Sequence, residues 1–266
     1  MDNLKTIELI KRNPFVIASI AHPTDEMKLL AISKNGLLLE YIKNPTREMQ
    51  EKAIENKPSA IKFVKNPTEE LLVQAIKGSW MSLEYMKNPS DQVIKLALGQ
   101  AGWAIKYLEQ QPEDYQLLAV RKNYDALQFI KEPYESVQEA AVTIHYEALR
   151  YIKSPTHQAE LIAIRNNESA IRFVEVLDQN KIISFLKVNF LVIKYIGSEL
   201  SKELLEAVLK EVLSNEAVDE KYVRAFVNYR TKDNSFINDL DQVKFIHQYG
   251  SKKAKKITVD EKLKIT

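Results

Sequence analysis

The chain has 266 residues, 45% of them hydrophobic, so its apolar content is that of a folded protein and excludes disorder for most of its length. A formal net charge of +2 excludes a strong overall field towards DNA or membranes. The absence of cysteine excludes disulfides and thiolate sites, and six glycines are too few for a fold rich in tight β-turns.

The first segment, Met1 to Lys11, carries charges at Asp2, Lys5 and Glu8 and lacks a long apolar core, so no signal peptide is expected. No stretch approaches 18 uncharged apolar residues, which predicts that the chain does not span a membrane. Together with the lack of cysteine, these features predict a cytoplasmic protein with no membrane partner.

From the start of the chain to about residue 212, the sequence repeats with a period of 22 residues. An aromatic column ends each repeat: Tyr41, Phe63, Tyr85, Tyr107, Phe129, Tyr151, Phe173 and Tyr195. Ten residues upstream lies a small-residue column: Ala31, Ala53, Ala75, Ala97, Ala119, Ala141 and Ala163, ending at Phe185 and returning at Ala207. Several columns in one register indicate a tandem repeat of a single structural element.

Each repeat predicts two short helices. The first begins near a Pro-Thr pair and runs about ten residues, as in Thr68 to Lys77, with apolar positions at helical spacing. The second, as in Ser59 to Lys65, is seven or eight residues long and is too short to form without its neighbours. Between them lies an asparagine column, interpreted as left-handed helix C-caps or alternatively as a ligand-binding ladder: Asn13, Asn35, Asn123, Asn167 and Asn189.

These patterns predict an all-α fold, an α-solenoid of about nine 22-residue helix-turn-helix repeats with a C-terminal helical cap. The predicted divisions are residues 1–212 for the solenoid, 213–249 for the cap and 250–266 for a mobile basic tail. Within the tail, Ile257, Val259, Leu263 and Ile265 predict a short extended segment. Stacked repeats of this kind offer a long curved surface rather than a deep pocket.

The recurring unit, Ala-Ile, then Asn, then Ala-Ile-Lys-Tyr-Ile-Lys-Asn-Pro-Thr, resembles the short tandem helical repeats of bacterial and phage proteins. It is similar to the leucine-rich-repeat-variant and HEAT-like α-solenoids over about residues 1–212. The resemblance implies binding of proteins or, less often, of nucleic acids. Phage-encoded members of such a group would include inhibitors of a host or defence complex.

Two surface rows are candidate binding sites. Large aromatic residues follow the inter-helix turn and form a candidate interaction rim, for which packing between neighbouring loops is the rival interpretation: Trp80, Trp103, Tyr124, Tyr146 and Phe190. A basic ladder precedes the aromatic column, interrupted by Glu40 and Glu84: Lys62, Lys106, Arg150, Arg172 and Lys194. This ladder is either a solvated face or a stripe for phosphates or an acidic partner.

No arrangement of residues indicates catalysis. The histidines, His22, His145, His157 and His247, lack ligand spacing, and the glycines form no phosphate-binding loop. No metal, cofactor or enzymatic activity is therefore predicted. The favoured function is a non-enzymatic scaffold or adaptor that binds another protein. The alternatives are a nucleic-acid-binding solenoid that uses the basic ladder, and an enzyme whose site lies in the groove.

Overall fold

A computed structural model of the chain describes residues 3–196, 200–230 and 240–263, and all its regular elements there are helices. The α-helices of the repeats are α1 (Asn3–Arg12), α2 (Asp25–Lys34), α3 (Arg47–Asn56), α4 (Glu69–Gly78), α5 (Asp91–Gln100), α6 (Glu113–Lys122), α7 (Glu135–Ile144), α8 (His157–Asn166) and α9 (Gln179–Val188). Short 3₁₀ helices follow them: η1 (Pro14–Ser19), η2 (Gly36–Tyr41), η3 (Pro58–Phe63), η4 (Trp80–Tyr85), η5 (Gly102–Tyr107), η6 (Tyr124–Phe129), η7 (Tyr146–Tyr151), η8 (Glu168–Phe173) and η9 (Phe190–Val192). The C-terminal elements are α10 (Ile193–Ile196), α11 (Lys202–Ser214), α12 (Glu220–Asn228), α13 (Gln242–Tyr249) and α14 (Lys252–Leu263).

The chain forms two compact units, unit 1 (Met1–Val137) and unit 2 (Gln138–Thr266), whose boundary falls within α7. In unit 1, neighbouring α-helices contact each other along the series α1 to α6, and neighbouring 3₁₀ helices do so along the series η1 to η6. In unit 2, α8 contacts α9, α9 contacts α11, and η7, η8 and η9 contact one another in sequence. Successive helical hairpins therefore pack side by side within each unit.

The predicted ten-residue helices are confirmed, and their first turns show why they start where they do. The Thr24 and Thr46 hydroxyl oxygens accept hydrogen bonds from the backbone N–H groups of Met27 and Met49, both at 3.3 Å. These contacts satisfy donors that the first turn of a helix leaves free. Pro23 and Pro45, which cannot donate a backbone hydrogen bond, immediately precede these threonines.

The asparagine column stands at the C-caps of the α-helices, as expected, but the expected left-handed backbone is wrong. Asn13, Asn35 and Asn167 have φ values of −138°, −151° and −157°, which are extended. Their side-chain oxygens instead accept the backbone N–H two residues on, at 3.1, 3.1 and 2.8 Å, and so cap the start of the 3₁₀ helix. The second helix is a six-residue 3₁₀ helix rather than seven or eight residues of α-helix, because the following Asn-Pro-Thr loop ends it.

Left-handed backbone occurs instead in the Asn-Pro-Thr loops. Asn44, Asn66 and Asn88 have φ values of 52°, 53° and 50°. Asparagine tolerates this region better than most residues, because its short polar side chain makes local hydrogen bonds. The loop reverses the chain from the 3₁₀ helix of one repeat into the α-helix of the next.

The core follows the small-residue column. In unit 1, Ala31, Ala53, Ala75, Ala97 and Ala119 are fully buried. In unit 2, Ala141, Ala163 and Phe185 are fully buried as well, whereas Ala207 on α11 is exposed. The buried column therefore ends at Phe185 on α9, one 22-residue period before Ala207.

The expected extended segment near the C-terminus is helical instead. Residues Lys252–Leu263 form α14, which contacts α12 and α13 and buries Ala254, Ile257 and Thr258. The carboxylate of Glu216 accepts the backbone N–H groups of Lys252 and Lys253 at 2.9 and 3.2 Å, and so caps the start of α14. Residues 264–266, which include Ile265, and residues 231–239 of the expected cap lie outside the described residues.

Candidate functional site

The candidate rim lies at the start of the 3₁₀ helices, beside the inter-helix turns. In unit 1, Trp80, Trp103 and Tyr124 are half-buried, and Met81 beside them is 53% exposed. The Trp103 indole N–H donates to Asp125 Oδ1 at 2.9 Å, one repeat further along. These aromatic side chains are therefore held by the fold while part of each remains on the surface.

Trp80 also shows that the rival interpretation, packing between neighbouring repeats, holds in part. Its ring centroid lies 6.1 Å from that of Tyr107 in the next repeat. The Lys106 ammonium lies 5.5 Å from the Trp80 ring, 4.7 Å from Tyr107 and 5.8 Å from Phe129. Trp80 thus joins the rim to the basic ladder and the aromatic column in one surface of unit 1.

In two repeats of unit 1, the position that corresponds to Trp80 is buried in the core. Gly36 and Gly102 stand where Trp80 stands in its own repeat, and both glycines are buried. A Cβ atom on them would lie 2.2 Å from the carbonyl oxygen of Ala53 and 2.1 Å from that of Ala119, respectively. Their backbone N–H groups donate to side-chain oxygens of the following repeat, Asn56 at 2.7 Å and Asn123 at 2.9 Å. The residues in this column therefore vary for two reasons: close packing requires glycine in some repeats, and partial exposure allows large aromatic residues in others.

Phe190 is a correction to the predicted rim. It is fully buried, and its ring meets Tyr222, Phe226 and Tyr229 edge-on, with centroids 6.1, 5.2 and 5.4 Å apart. The helix α12 covers the position that the earlier repeats leave partly open. Phe190 is therefore part of the hydrophobic core of unit 2 and offers no surface to a partner.

The basic ladder is exposed, and its cations rest on aromatic rings. In unit 1, the Lys62 ammonium lies 4.8 Å from the Phe63 ring and 5.6 Å from the Tyr85 ring of the next repeat. In unit 2, the Arg150 and Arg172 guanidinium groups lie 5.2 and 5.3 Å from the rings of Tyr151 and Tyr195. Lys194 differs from these, since it pairs with Glu168 at 2.8 Å.

Unit 2 carries a cleft that the sequence analysis missed. Two cavities of about 480 and 540 Å³ share Arg165, Val188, Asp219 and Tyr222 in their walls, and together we call them the unit 2 cleft. The turns that follow α7, α8 and α9 form one side, and the first half of α12 forms the other. The rim residue Tyr146 lies in this wall, with its ring stacked on His145 at a centroid distance of 5.1 Å.

Tyr222 is the most unusual polar group of the cleft. Its side chain is 4% exposed, and its hydroxyl has no hydrogen-bond partner among the described residues. Burial raises the pKa of the Tyr222 hydroxyl well above its usual value, so the phenol stays protonated and remains a hydrogen-bond donor. The helical spacing of Tyr222, Ala225 and Phe226 indicates one face of a helix, but no pattern in the sequence marks the Tyr222 hydroxyl, because α12 lies beyond the repeat period.

A second missed feature does have a sequence signal. Gln50, Gln116, Gln138 and Glu160 occupy one repeat position, and the last three are buried. Gln116 Oε1 accepts from the Tyr134 backbone N–H at 3.3 Å, and Gln138 Oε1 accepts from that of Thr156 at 2.9 Å. These side chains hold the next repeat's loop in place, which makes the column structural.

The described residues contain no cluster of three or more histidine and acidic side chains arranged to hold a metal ion. None of the described helices has the length and apolar content needed to cross a membrane. The chain matches no family model, and no curated protein or solved structure is significantly similar to it.

Proposed function

We propose that the protein is a non-enzymatic scaffold that binds another protein, built as an α-solenoid of about nine repeats. The observation that carries the proposal is the row of half-buried aromatic side chains in unit 1, Trp80, Trp103 and Tyr124, beside the exposed Met81. Aromatic side chains contribute most of the binding energy at many protein interfaces. Here they are already held by contacts such as the Trp103–Asp125 hydrogen bond, so a partner has to order little when it binds.

The solenoid is supported by the side-by-side contacts of successive hairpins within each unit, in the register that the 22-residue period predicts. Such an array buries apolar faces only through its neighbours. In unit 1, the edge that carries Trp80, Trp103 and Tyr124 stays partly open for binding. An inhibitor of a host or defence complex is one role that this edge would serve.

The test is affinity capture of the tagged protein from its native lysate, with and without nuclease, followed by mass spectrometry. The test variant combines Trp80→Ala, Trp103→Ala and Tyr124→Ala. The matched control combines Lys52→Ala and Glu55→Ala, which removes an exposed 2.8 Å ion pair on α3 of the same unit. An isolated surface pair of this kind contributes at most about 1 kcal/mol, so the control should fold normally.

We expect one stoichiometric protein to survive nuclease with the wild type and the control, and to disappear with the test variant while its helical circular dichroism is unchanged. Retention of the partner by the test variant would contradict the role of these aromatic residues. A partner that disappears on nuclease treatment would contradict protein binding itself.

A second candidate function, nucleic-acid binding, is favoured by one feature of unit 2. Arg150 and Arg172 are exposed and form no ion pair with any described carboxylate. Guanidinium groups held on ring faces are suited to phosphate contacts. This function predicts a gel shift at low salt, and the combined change Arg150→Glu and Arg172→Glu should lower the log–log salt slope by about 2. Absence of a shift at low salt would exclude it.

A further inference from the structure

The unit 2 cleft has the size and lining of a peptide site. Its larger cavity of about 540 Å³ lies within the range of sites that bury small ligands or a few side chains. Ile144, Leu191 and Ala225 contribute apolar surface to its wall, and Ile144 is 50% exposed. An exposed isoleucine beside the half-buried Tyr146 provides a surface on which an apolar side chain would be buried.

The charges around the cleft favour an acidic ligand. Two of its carboxylates are in ion pairs, Glu168 with Lys194 at 2.8 Å and Glu211 with Lys187 at 2.6 Å, and Asp219 Oδ1 accepts from the Lys221 backbone N–H at 2.7 Å as the cap of α12. The side chains of Arg165 and Lys221, in contrast, form no ion pair within the described ranges. Two cations that pair with no described carboxylate and lie beside apolar surface attract a carboxylate and orient it.

Tyr222 provides an independent observation. Its buried hydroxyl is a donor without an acceptor among the described residues, in the wall shared by both cavities. A donor in this state carries an uncompensated desolvation cost, which an acceptor on a ligand would remove. Because the hydroxyl has less than 1 Å² of exposed surface, a small movement of the Tyr222 side chain must accompany such a contact.

We propose that the unit 2 cleft binds a short peptide segment of a partner protein, in which an acidic residue stands beside an aliphatic or aromatic residue. The acidic side chain pairs with Arg165 and Lys221, the apolar one packs on Ile144 and Leu191, and a peptide carbonyl accepts from the Tyr222 hydroxyl. This inference rests on the proposed function, since it assigns a partner chemistry to a protein-binding scaffold.

The experiment begins with selection of random 12-residue peptides displayed on phage against the full-length protein. The most enriched peptide is then synthesised with a fluorophore, and its dissociation constant is measured by fluorescence anisotropy. We expect enrichment of sequences that place Asp or Glu next to Leu, Ile, Phe or Trp. Enrichment of sequences without acids, or no enrichment, would overturn the proposal.

The variants assign the bound peptide to the cleft. Arg165→Glu should weaken binding by at least about tenfold, because it replaces an attraction with a repulsion. Lys77→Glu is the matched control, since Lys77 is exposed and stands four 22-residue periods before Arg165 in the same repeat position of unit 1. Its dissociation constant should equal that of the wild type. Equal binding by Arg165→Glu and the control would overturn the proposal.

Tyr222→Phe tests the hydroxyl without emptying the site. The substitution should raise the dissociation constant of the peptide by about three- to tenfold, which is the usual contribution of one hydrogen bond. The melting temperature of the protein should stay the same or rise. Unchanged affinity would overturn the role of the hydroxyl.

The outcomes also separate this inference from the proposed function. If the peptides bind the Arg165→Glu variant as tightly as the wild type, the unit 2 cleft is not their binding site, whereas the proposal that the protein binds another protein still stands. Peptides that bind through the cleft, together with a captured partner that nuclease removes, would support the cleft and refute protein binding as the function.

Discussion

The substitution Gly102→Ala tests whether this position of the rim column is set by close packing rather than by exposure to a partner. The Cβ of Gly102→Ala would lie 2.1 Å from the Ala119 carbonyl oxygen and 2.9 Å from its carbon. Carbon–oxygen contacts are normally about 3.3–3.6 Å, so α6 and η5 must separate by about 1 Å. Overpacking of this kind costs about 1–3 kcal/mol. Weakening the 2.9 Å hydrogen bond from the Gly102 N–H to Asn123 adds about 1 kcal/mol.

The lower conformational entropy of the unfolded alanine chain offsets about 0.4–1 kcal/mol. We therefore expect Gly102→Ala to lower the free energy of unfolding by about 1–3.5 kcal/mol. Gly99→Ala is the control, because Gly99 lies within α5 and a Cβ there would meet nothing within 4 Å. Alanine in a helix interior is favoured over glycine, so this variant should gain about 0.5–1 kcal/mol.

Urea unfolding followed by circular dichroism at 222 nm measures both changes. If Gly102→Ala lowers the free energy of unfolding and Gly99→Ala raises it, the close approach of α6 to η5 is established. Gly36→Ala should repeat the loss, because its Cβ would lie 2.2 Å from the Ala53 carbonyl oxygen. A Gly102→Ala variant within about 0.5 kcal/mol of the wild type would refute the reasoning.

Three further predictions concern the core, the loops and the C-terminal helix. Phe190→Ala should destabilise unit 2 by about 3–5 kcal/mol in urea unfolding, since the ring is buried among three others, and a loss below about 1 kcal/mol would contradict its place in the core. Asn66→Ala should cost about 1 kcal/mol while Asn66→Gly costs nothing in thermal melts, because φ is 53° there, and equal melting of both would argue against left-handed backbone. The backbone N–H groups of Lys252 and Lys253 hold the pKa of Glu216 below its ordinary value of 4.5, so its stabilisation of α14 is complete above that pH and is lost as the pH falls below it. The protection factor of α14, which is its exchange rate corrected for the intrinsic pH dependence of amide exchange, should therefore fall as the pH is lowered below about 4.5 in the wild type and respond less in Glu216→Gln, and an identical pH response would count against the cap.

The columns of the repeat predicted the core correctly as far as α9, because small and aliphatic residues at a fixed period leave one helical face to bury. Ala53, Ala75 and Ala97 are fully buried, as their spacing indicated. The same reasoning misjudged Phe190, since it treated a repeat position as having one environment throughout the chain. The helix that covers Phe190 lies outside the period, so no column pattern reports it.

The asparagines show a different limit. Asparagine is suited both to left-handed backbone and to capping a helix start, and composition alone does not choose between these roles. At Asn35 the backbone is extended and the side chain caps η2, whereas Asn66 takes the left-handed conformation in its loop. The choice depends on where the preceding helix ends, which neighbouring repeats decide through packing.

The sequence by itself determined the helical class, the 22-residue period, the ten-residue α-helices and the buried columns, because these follow from local spacing and capping chemistry. Tertiary structure alone decided that Phe190 is buried, that Gly102 lies against Ala119, and that Arg165 and Tyr222 line one cleft. These contacts bring together residues that are 17 to 57 positions apart in the sequence. The burial of Phe190 also depends on α12, a helix outside the repeat, packing against it. Contacts of that kind are set by how whole elements pack, which no local pattern encodes.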